Sequence, residues 1–173
     1  MQGRSTAFLG LGSNIGDRAA NLKSAIDALG EIELETIESS SVFETEPFGV
    51  EGQEAYFNMV VKVGFDSCDA LELLDKLESV ENSLGRTGKG LGLPRSIDVD
   101  LLLAGDMTIE SERVTIPHPR MHLRRFVLEP LAEIAAAVRH PRLEKTVGEL
   151  LASSSDGSSV RKIGAIGELL KQD

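Results

Sequence analysis

Two extended segments, 32–45 and 55–65, follow one another with no helix between them. This order restricts the fold more than any other feature, because successive parallel strands need a crossover of about a dozen residues or more, usually a helix. The second segment is the clearer strand. Phe57, Met59, Val61 and Val63 alternate with Tyr56, Asn58, Val60 and Lys62, the period-2 pattern of a sheet with two distinct faces. The first runs from Ile32 to Thr45, with Ser and Thr set against Ile37, Val42 and Phe43. "EPFGVEGQEA" between them carries the glycines and the proline of a loop.

Helices and further strands flank this pair. Thr6 to Leu11 is a short apolar run ending in Gly-Leu-Gly. Asp17 can cap a helix with Leu22, Ala25, Ile26 and Leu29 on one side and Gly30 at its C-terminal end. Asp69, with Glu72 three residues on, starts a second helix whose stripe is Leu73, Leu74, Leu77, Val80 and Leu84, closed by Gly85. A Gly-rich loop, 87–93, leads to the strand in "LPRSIDVDLLLAG". The order β-α-β-β-α-β over residues 6–104 predicts an α+β, ferredoxin-like core: a four-stranded antiparallel sheet with both helices on one face. A doubly wound parallel sheet is the alternative, disfavoured by the missing helix between 45 and 55.

The 173 residues read as a single domain, 1–173, with its core at about 6–136. A C-terminal extension completes it. Residues 114–117 look extended, and Pro130 suits the first turn of a helix with Leu131, Ile134, Ala135 and Val138 on its apolar side. "SSSDGSS" at 153–159 reads as a flexible linker, and the last residues of the chain as a weakly determined tail.

The strand from Ile97 poses a chemical question. Alternation sends Ile97, Val99, Leu101 and Leu103 toward the helices and Asp98 and Asp100 to the opposite face, their Cα atoms about 7 Å apart. Like charges so close repel unless something positive lies between them. Two carboxylates at this spacing can hold two divalent cations, the arrangement that clamps phosphates, and Mg²⁺ suits carboxylates shared with phosphate oxygens and water. Asp-x-Asp alone is more often a solvated strand face. Its neighbours alter that balance: Arg86, Lys89 and Arg95 precede it, and "ERVTIPHPRMHLRRF" supplies Arg113, His118, Arg120, His122, Arg124 and Arg125. Each arginine singly is better explained by solvation. Together they surround the acids with what a polyphosphate needs.

Composition decides the partners. A net charge of −10 and a pI of about 4.8 argue against a nucleic-acid binder. A single cysteine excludes an intramolecular disulfide and a Cys-based zinc site, and no apolar run reaches the roughly 20 residues of a membrane span. The expectation is a cytoplasmic protein, monomeric, with neither nucleic-acid nor membrane partners. Common phosphate motifs fail: Gly10 to Gly16 lacks the third glycine of a dinucleotide fingerprint, and Gly88-Lys89-Gly90 lacks the Ser or Thr of a Walker A loop. His118 and His122 are four apart, but Pro119 follows the first and no Glu lies beside it, unlike a zinc-protease helix.

In order along residues 6–136, "LGLGSNIGDR", "SSVFETEPFG", "YFNMVV", "LESVENSLGR", "PRSIDVDLLLAG" and "VTIPHPRMHLRRFVLEPL" resemble the 6-hydroxymethyl-7,8-dihydropterin pyrophosphokinase family. No one segment is decisive; their order and separation are. The resemblance implies a ferredoxin-like fold and an ATP-dependent enzyme of folate biosynthesis that moves the diphosphate of ATP onto the pterin's hydroxymethyl oxygen and releases AMP. It implies Asp98 and Asp100 as ligands of two Mg²⁺ ions, with Arg86 and Arg95 beside them in catalysis. It implies Glu78, Glu81, Arg86, Lys89, Arg95, Leu101 (through its backbone), Arg113, Thr115, His118 and Arg124 around ATP. Around the pterin it implies Thr45, Glu46, Phe48, Tyr56, Asn58, Asp98 and Phe126. A flat ring with polar edges suits an aromatic sandwich and an amide, although Tyr56 and Phe126, taken alone, would be ordinary core residues.

The chain departs from the family in one place. The family commonly has Arg-Trp-Gly-Pro-Arg before the aspartates; here "GKGLGLPR" has no Trp. The resemblance makes 87–93 part of a mobile lid, with Leu91 the best apolar substitute for the Trp and Lys89 its basic residue. A non-catalytic nucleotide-binding module of the same fold is the alternative. It would keep the arginines without needing Asp98 and Asp100 as a metal pair. An RNA-binding ferredoxin-like domain is disfavoured by the acidic balance and the lack of exposed aromatic strand motifs.

Overall fold

The structure, a computed structural model, describes residues 4–46, 52–66, 69–85 and 96–171. Phe48, Arg86, Lys89, Leu91, Arg95 and the 87–93 loop lie outside the described residues. The core elements follow the expected order. They are β1 (Ser5–Ser13), α1 (Arg18–Glu31), β2 (Glu35–Ser39), β3 (Val42–Thr45), β4 (Tyr56–Phe65), α2 (Ala70–Ser83) and β5 (Asp98–Ala104). Then come β6 (Ile109–Glu110), β7 (Thr115–Ile116), a 3₁₀ turn (Met121–Leu123), α3 (Arg125–Ala135), α4 (Val147–Ala152), β8 (Val160–Gly164) and α5 (Ile166–Leu169). The main sheet runs β5-β1-β4-β3-β8, with β2 also paired to β4, and all its pairings are antiparallel. This is the α+β, ferredoxin-like arrangement expected from the order of elements.

The expected helix caps form. Asp17 accepts from the Ala20 amide at 2.9 Å and Asp69 from the Glu72 amide at 2.8 Å, each satisfying an N–H that the first helical turn leaves over. Gly85 adopts φ 80° after α2. Gly30, however, lies within α1, and the left-handed residue that ends that helix is Glu33 at φ 65°.

Four expectations change. The extended segment 32–45 is two strands, broken at Ser40–Ser41, where the Ser40 hydroxyl accepts from the Val60 amide and bridges the break. α3 begins at Arg125, so Pro130 sits inside it rather than in its first turn; a helix tolerates this at the loss of one backbone hydrogen bond. The residues after 159, expected to be a loose tail, instead form β8, a strand on the outer edge of β3, with Val42 opposite Gly164 and Thr45 opposite Val160, while 153–159 holds no helix or strand.

The fourth change concerns the faces of the sheet. α1 and α2 cover one face over Leu9, Leu11, Met59, Val61, Val63, Val99 and Leu101. The opposite face, to which no helix was assigned, holds α3 and α4 over Phe8, Val60, Leu102 and Leu103. A bulge shifts the β1–β5 register between Phe8 and Leu9, so Leu9 pairs with Leu101 and Phe8 with Leu103. Leu103 therefore joins Leu102 under α3 instead of facing α1 and α2 with Leu101. An extra residue on one strand inverts the alternation beyond it.

Candidate active site

α3 and α4 cover only one end of the second face. Beyond Phe8, Val60 and Leu102 the same face continues as Gly10 and Gly12 on β1, flanked by Asp100 and Asp98 on β5 and by Asn58 on β4. Directly opposed residues share a face. One transverse row therefore reads Asp98, Gly12, Asn58, Phe43, and the next inward reads Asp100, Gly10, Val60. At the usual strand spacing, Asp98 and Asn58 stand about 10 Å apart across a strand with no side chain between them. Gly10 and Gly12 are thus site residues that sequence reasoning missed. Their signal was present in Gly-Leu-Gly, but it reads as a strand end until the partners of β1 are known.

Asp98 and Asp100 are both half-buried. β5 is an edge strand, and its outer side is held by α2: the buried Glu81 carboxylate accepts from the Val99 amide at 2.8 Å, between the two aspartates in sequence. Glu81, expected beside ATP, is therefore bound to the strand that carries the acids. Leu101 is buried in the α1–α2 core, so only its backbone reaches the strand edge. Further along β5 the Leu102 carbonyl accepts from the His118 amide at 2.9 Å, which brings the Pro-His-Pro segment to the acids.

His118 is the best-defined side chain there. Its Nδ1 accepts from the Arg120 amide at 3.2 Å, so the neutral ring carries its proton on Nε2. Burial first, and then the positive charges of Arg124 and Arg120, push its pKa down to about 4 against an opposing pull from Asp98. At neutral pH the ring is an uncharged donor within the field of one acid and two arginines. The Arg124 guanidinium lies 5.6 Å from the centre of the Phe126 ring, within cation–π range.

Other expected residues fall into two further groups. Arg113 meets α2, 2.6 Å from Asp75 and 3.5 Å from Glu78, and the hydrogen bond and charge of Asp75 raise its pKa. The pair is exposed, with Thr115 nearby on β7. On the far side of the glycines, Asn58 Nδ2 donates to Thr45 Oγ1 at 2.7 Å and both side chains are buried. Tyr56 opposes Thr45 in the next row, and Glu46 is exposed at the strand end. The structure thus brings Asp98, Asp100, His118 and Arg124 together, and Thr45, Asn58 and Tyr56 together, on either side of a bare glycine floor.

Comparison with known proteins gives one consistent result. A family model described as 7,8-dihydro-6-hydroxymethylpterin-pyrophosphokinase (HPPK) matches residues 8–136. The 2-amino-4-hydroxy-6-hydroxymethyldihydropteridine pyrophosphokinase of Bacillus subtilis is 44% identical over 133 residues, covering 76% of this chain and 79% of that one. The protein of the same name from Aquifex aeolicus is 40% identical over 145 residues, covering 83% and 89%. Among solved structures, wild-type Plasmodium falciparum HPPK-DHPS with pteroate superposes with a TM-score of 0.72 at 15% identity, over 87% of this chain. The chain spans 44% of that solved chain, and the likeness there is one of fold.

Proposed function

The chain belongs to the 7,8-dihydro-6-hydroxymethylpterin-pyrophosphokinase family, and from that premise we propose how its own residues perform the reaction. It is an ATP-dependent pyrophosphokinase of folate biosynthesis. It transfers the diphosphate of ATP to the hydroxymethyl group of 6-hydroxymethyl-7,8-dihydropterin, giving the dihydropterin diphosphate and AMP. The observation that supports the assignment of residues is the row Asp98–Gly12–Asn58, which sets an acid pair and an amide at the two ends of an open strip.

In this reading the pterin lies along the strip. Asn58 and Thr45 bind its polar edge, Phe48, Tyr56 and Phe126 contact its faces, and Glu46 lies at the rim. Its hydroxymethyl group points to Asp98. The triphosphate spans the other side, met by Arg86, Lys89, Arg95, Arg113 and Arg124, by Thr115 and by the Nε2–H of His118. Glu78, Glu81 and the Leu101 backbone lie toward the nucleoside. Arg86 and Arg95 take the charge that develops as the bond between the α- and β-phosphates breaks. Phosphoryl-type transfer needs mainly alignment and charge neutralisation, and a neutral His118 adds a hydrogen bond without adding to the repulsion among the arginines.

Asp98 and Asp100 suit Mg²⁺. They are hard oxygen donors on one strand face, the ligand type of an ion that also takes water and phosphate oxygens. Two bound ions would screen the phosphates and acidify the hydroxyl. We further propose that the enzyme is a cytoplasmic monomer without nucleic-acid or membrane partners. Its acidic balance argues against a nucleic-acid partner, and among the described residues no helix is long and apolar enough to cross a membrane.

The test is direct. With ATP, Mg²⁺ and the dihydropterin, AMP should form in equal amount with the dihydropterin diphosphate. AMP formation that does not depend on the pterin, or release of ADP and phosphate instead, would overturn the reading.

A further inference from the structure

α3 begins without a cap of its own. Arg124 stands at its N-cap position and makes no side-chain capping bond. The first amide of the helix, Arg125 N–H, donates instead to Asp156 Oδ2 at 2.7 Å, across 31 residues of sequence. Asp156 is itself fixed: its Oδ1 accepts from the Ser158 amide at 2.9 Å, and its own amide donates to Ser154 Oγ at 3.2 Å. The side chain of Arg125 turns away to Glu129. A few residues later the same segment enters β8, where Val160 lies opposite Thr45. Asp156, Ser158 and Val160 lie beyond the residue, 136, at which the family match ends.

We propose that Asp156 is a positioning residue for substrate binding. The turn it caps carries Arg124 and Phe126, whose side chains lie against one another at the edge of the site. A helix start without a partner for its first amide frays. Fraying here would move the guanidinium and the ring together, away from the strip between Asp98 and Asn58. The carboxylate therefore sets where two ligand-contacting groups stand without touching either ligand. This inference rests on the reading of Arg124 and Phe126 given above.

Three variants test it: Asp156→Ala, Asp156→Asn and, as a control, Thr146→Ala. Thr146 caps α4 through a bond of the same kind, accepting from the Glu149 amide at 3.1 Å, on a helix that carries none of the residues assigned to either ligand. Asp156→Ala should raise KM for the dihydropterin and for ATP by about fivefold, the equilibrium factor equivalent to the stability that a lost cap typically removes from its helix, with kcat nearly unchanged. Asp156→Asn, which keeps an acceptor for the Arg125 amide, should restore both KM values. Thr146→Ala should lower the melting temperature and leave KM alone. A merely structural Asp156 would reduce the fraction of active enzyme, and so Vmax, with KM unchanged; that outcome overturns the proposal, as does failure of Asn to rescue. If Asp156→Ala does not fold, Asp156→Ser, whose shorter side chain does not reach the Arg125 amide, decides: raised KM values with kcat nearly unchanged are expected, and unchanged KM values overturn the proposal. Arg124→Ala and Phe126→Ala, run in parallel, separate the two layers. If neither weakens its ligand, the site assignment falls and the inference with it; if both do and Asp156→Ala does not, the inference alone falls.

Discussion

Asp98 and Asn58 face the same side of the sheet on either flank of Gly12, each directly paired with it. An added Cβ at Gly12 would come within 2.9 Å of Asn58 Oδ1, whereas one at Gly10 would meet Leu102 no closer than 3.5 Å. The two glycines therefore make different demands, although they stand two residues apart on one strand.

Gly12→Ala should displace the Asn58 amide and weaken dihydropterin binding by about tenfold or more, with a stability loss of about 1–3 kcal/mol typical of overpacking. Gly10→Ala should change stability by well under that, since its new methyl group makes only ordinary contact. Calorimetric titration of each variant, with thermal melts, checks the contrast. Equal pterin affinities for the two variants would show that the strip does not receive the ring.

Asp98→Asn and Asp100→Asn should each lower kcat/KM by at least about 100-fold, the scale on which disturbed metal ligation is felt. Melting temperatures should stay close to that of the parent, since neither side chain belongs to either apolar core. A variant that keeps full Mg²⁺-dependent turnover would remove that aspartate from the metal site.

Asn58→Ala should weaken the dihydropterin by about 1–3 kcal/mol, the cost of unpaired polar edges in a buried site, and leave ATP nearly unaffected. Thr45→Val should act in the same direction but less strongly, because Thr45 Oγ1 accepts from Asn58 Nδ2 and so orients the amide. The double variant should then lose less than the sum of the two. Strict additivity would mean that the two residues act independently.

His118 should titrate near pH 4 in the ligand-free protein, with the proton on Nε2 at neutral pH. The sign for stability comes from linkage. The unfolded chain protonates this ring at about 6.5 and the folded chain only near 4, so between those values the unfolded state binds more protons and stability falls as pH drops. His118→Gln should flatten that part of the stability profile. Imidazole NMR chemical shifts against pH give the midpoint, and a midpoint near the ordinary value of about 6.5 would show a solvated ring.

The sequence alone determined the order of the elements, because the positions of apolar residues at periods of 2 and 3.6 are local and the caps Asp17 and Asp69 lie next to the helices they start. It also placed Asp98 and Asp100 on one face, for alternation along a strand needs no partner. The Thr146–Glu149 capping box of α4 was equally local and could have been read from Thr-Val-Gly-Glu. Tertiary structure alone decided which strands lie side by side, and so made Gly12 the floor between Asp98 and Asn58. It turned Leu103 over through a bulge that depends on the register of β1. It bound Glu81 to Val99, it made a helix cap of Asp156 in a Ser-rich stretch whose composition suggests a linker, and it paired the residues after that stretch with β3. Each of these depends on contacts between residues distant in sequence, whose partners neither periodicity nor composition can name.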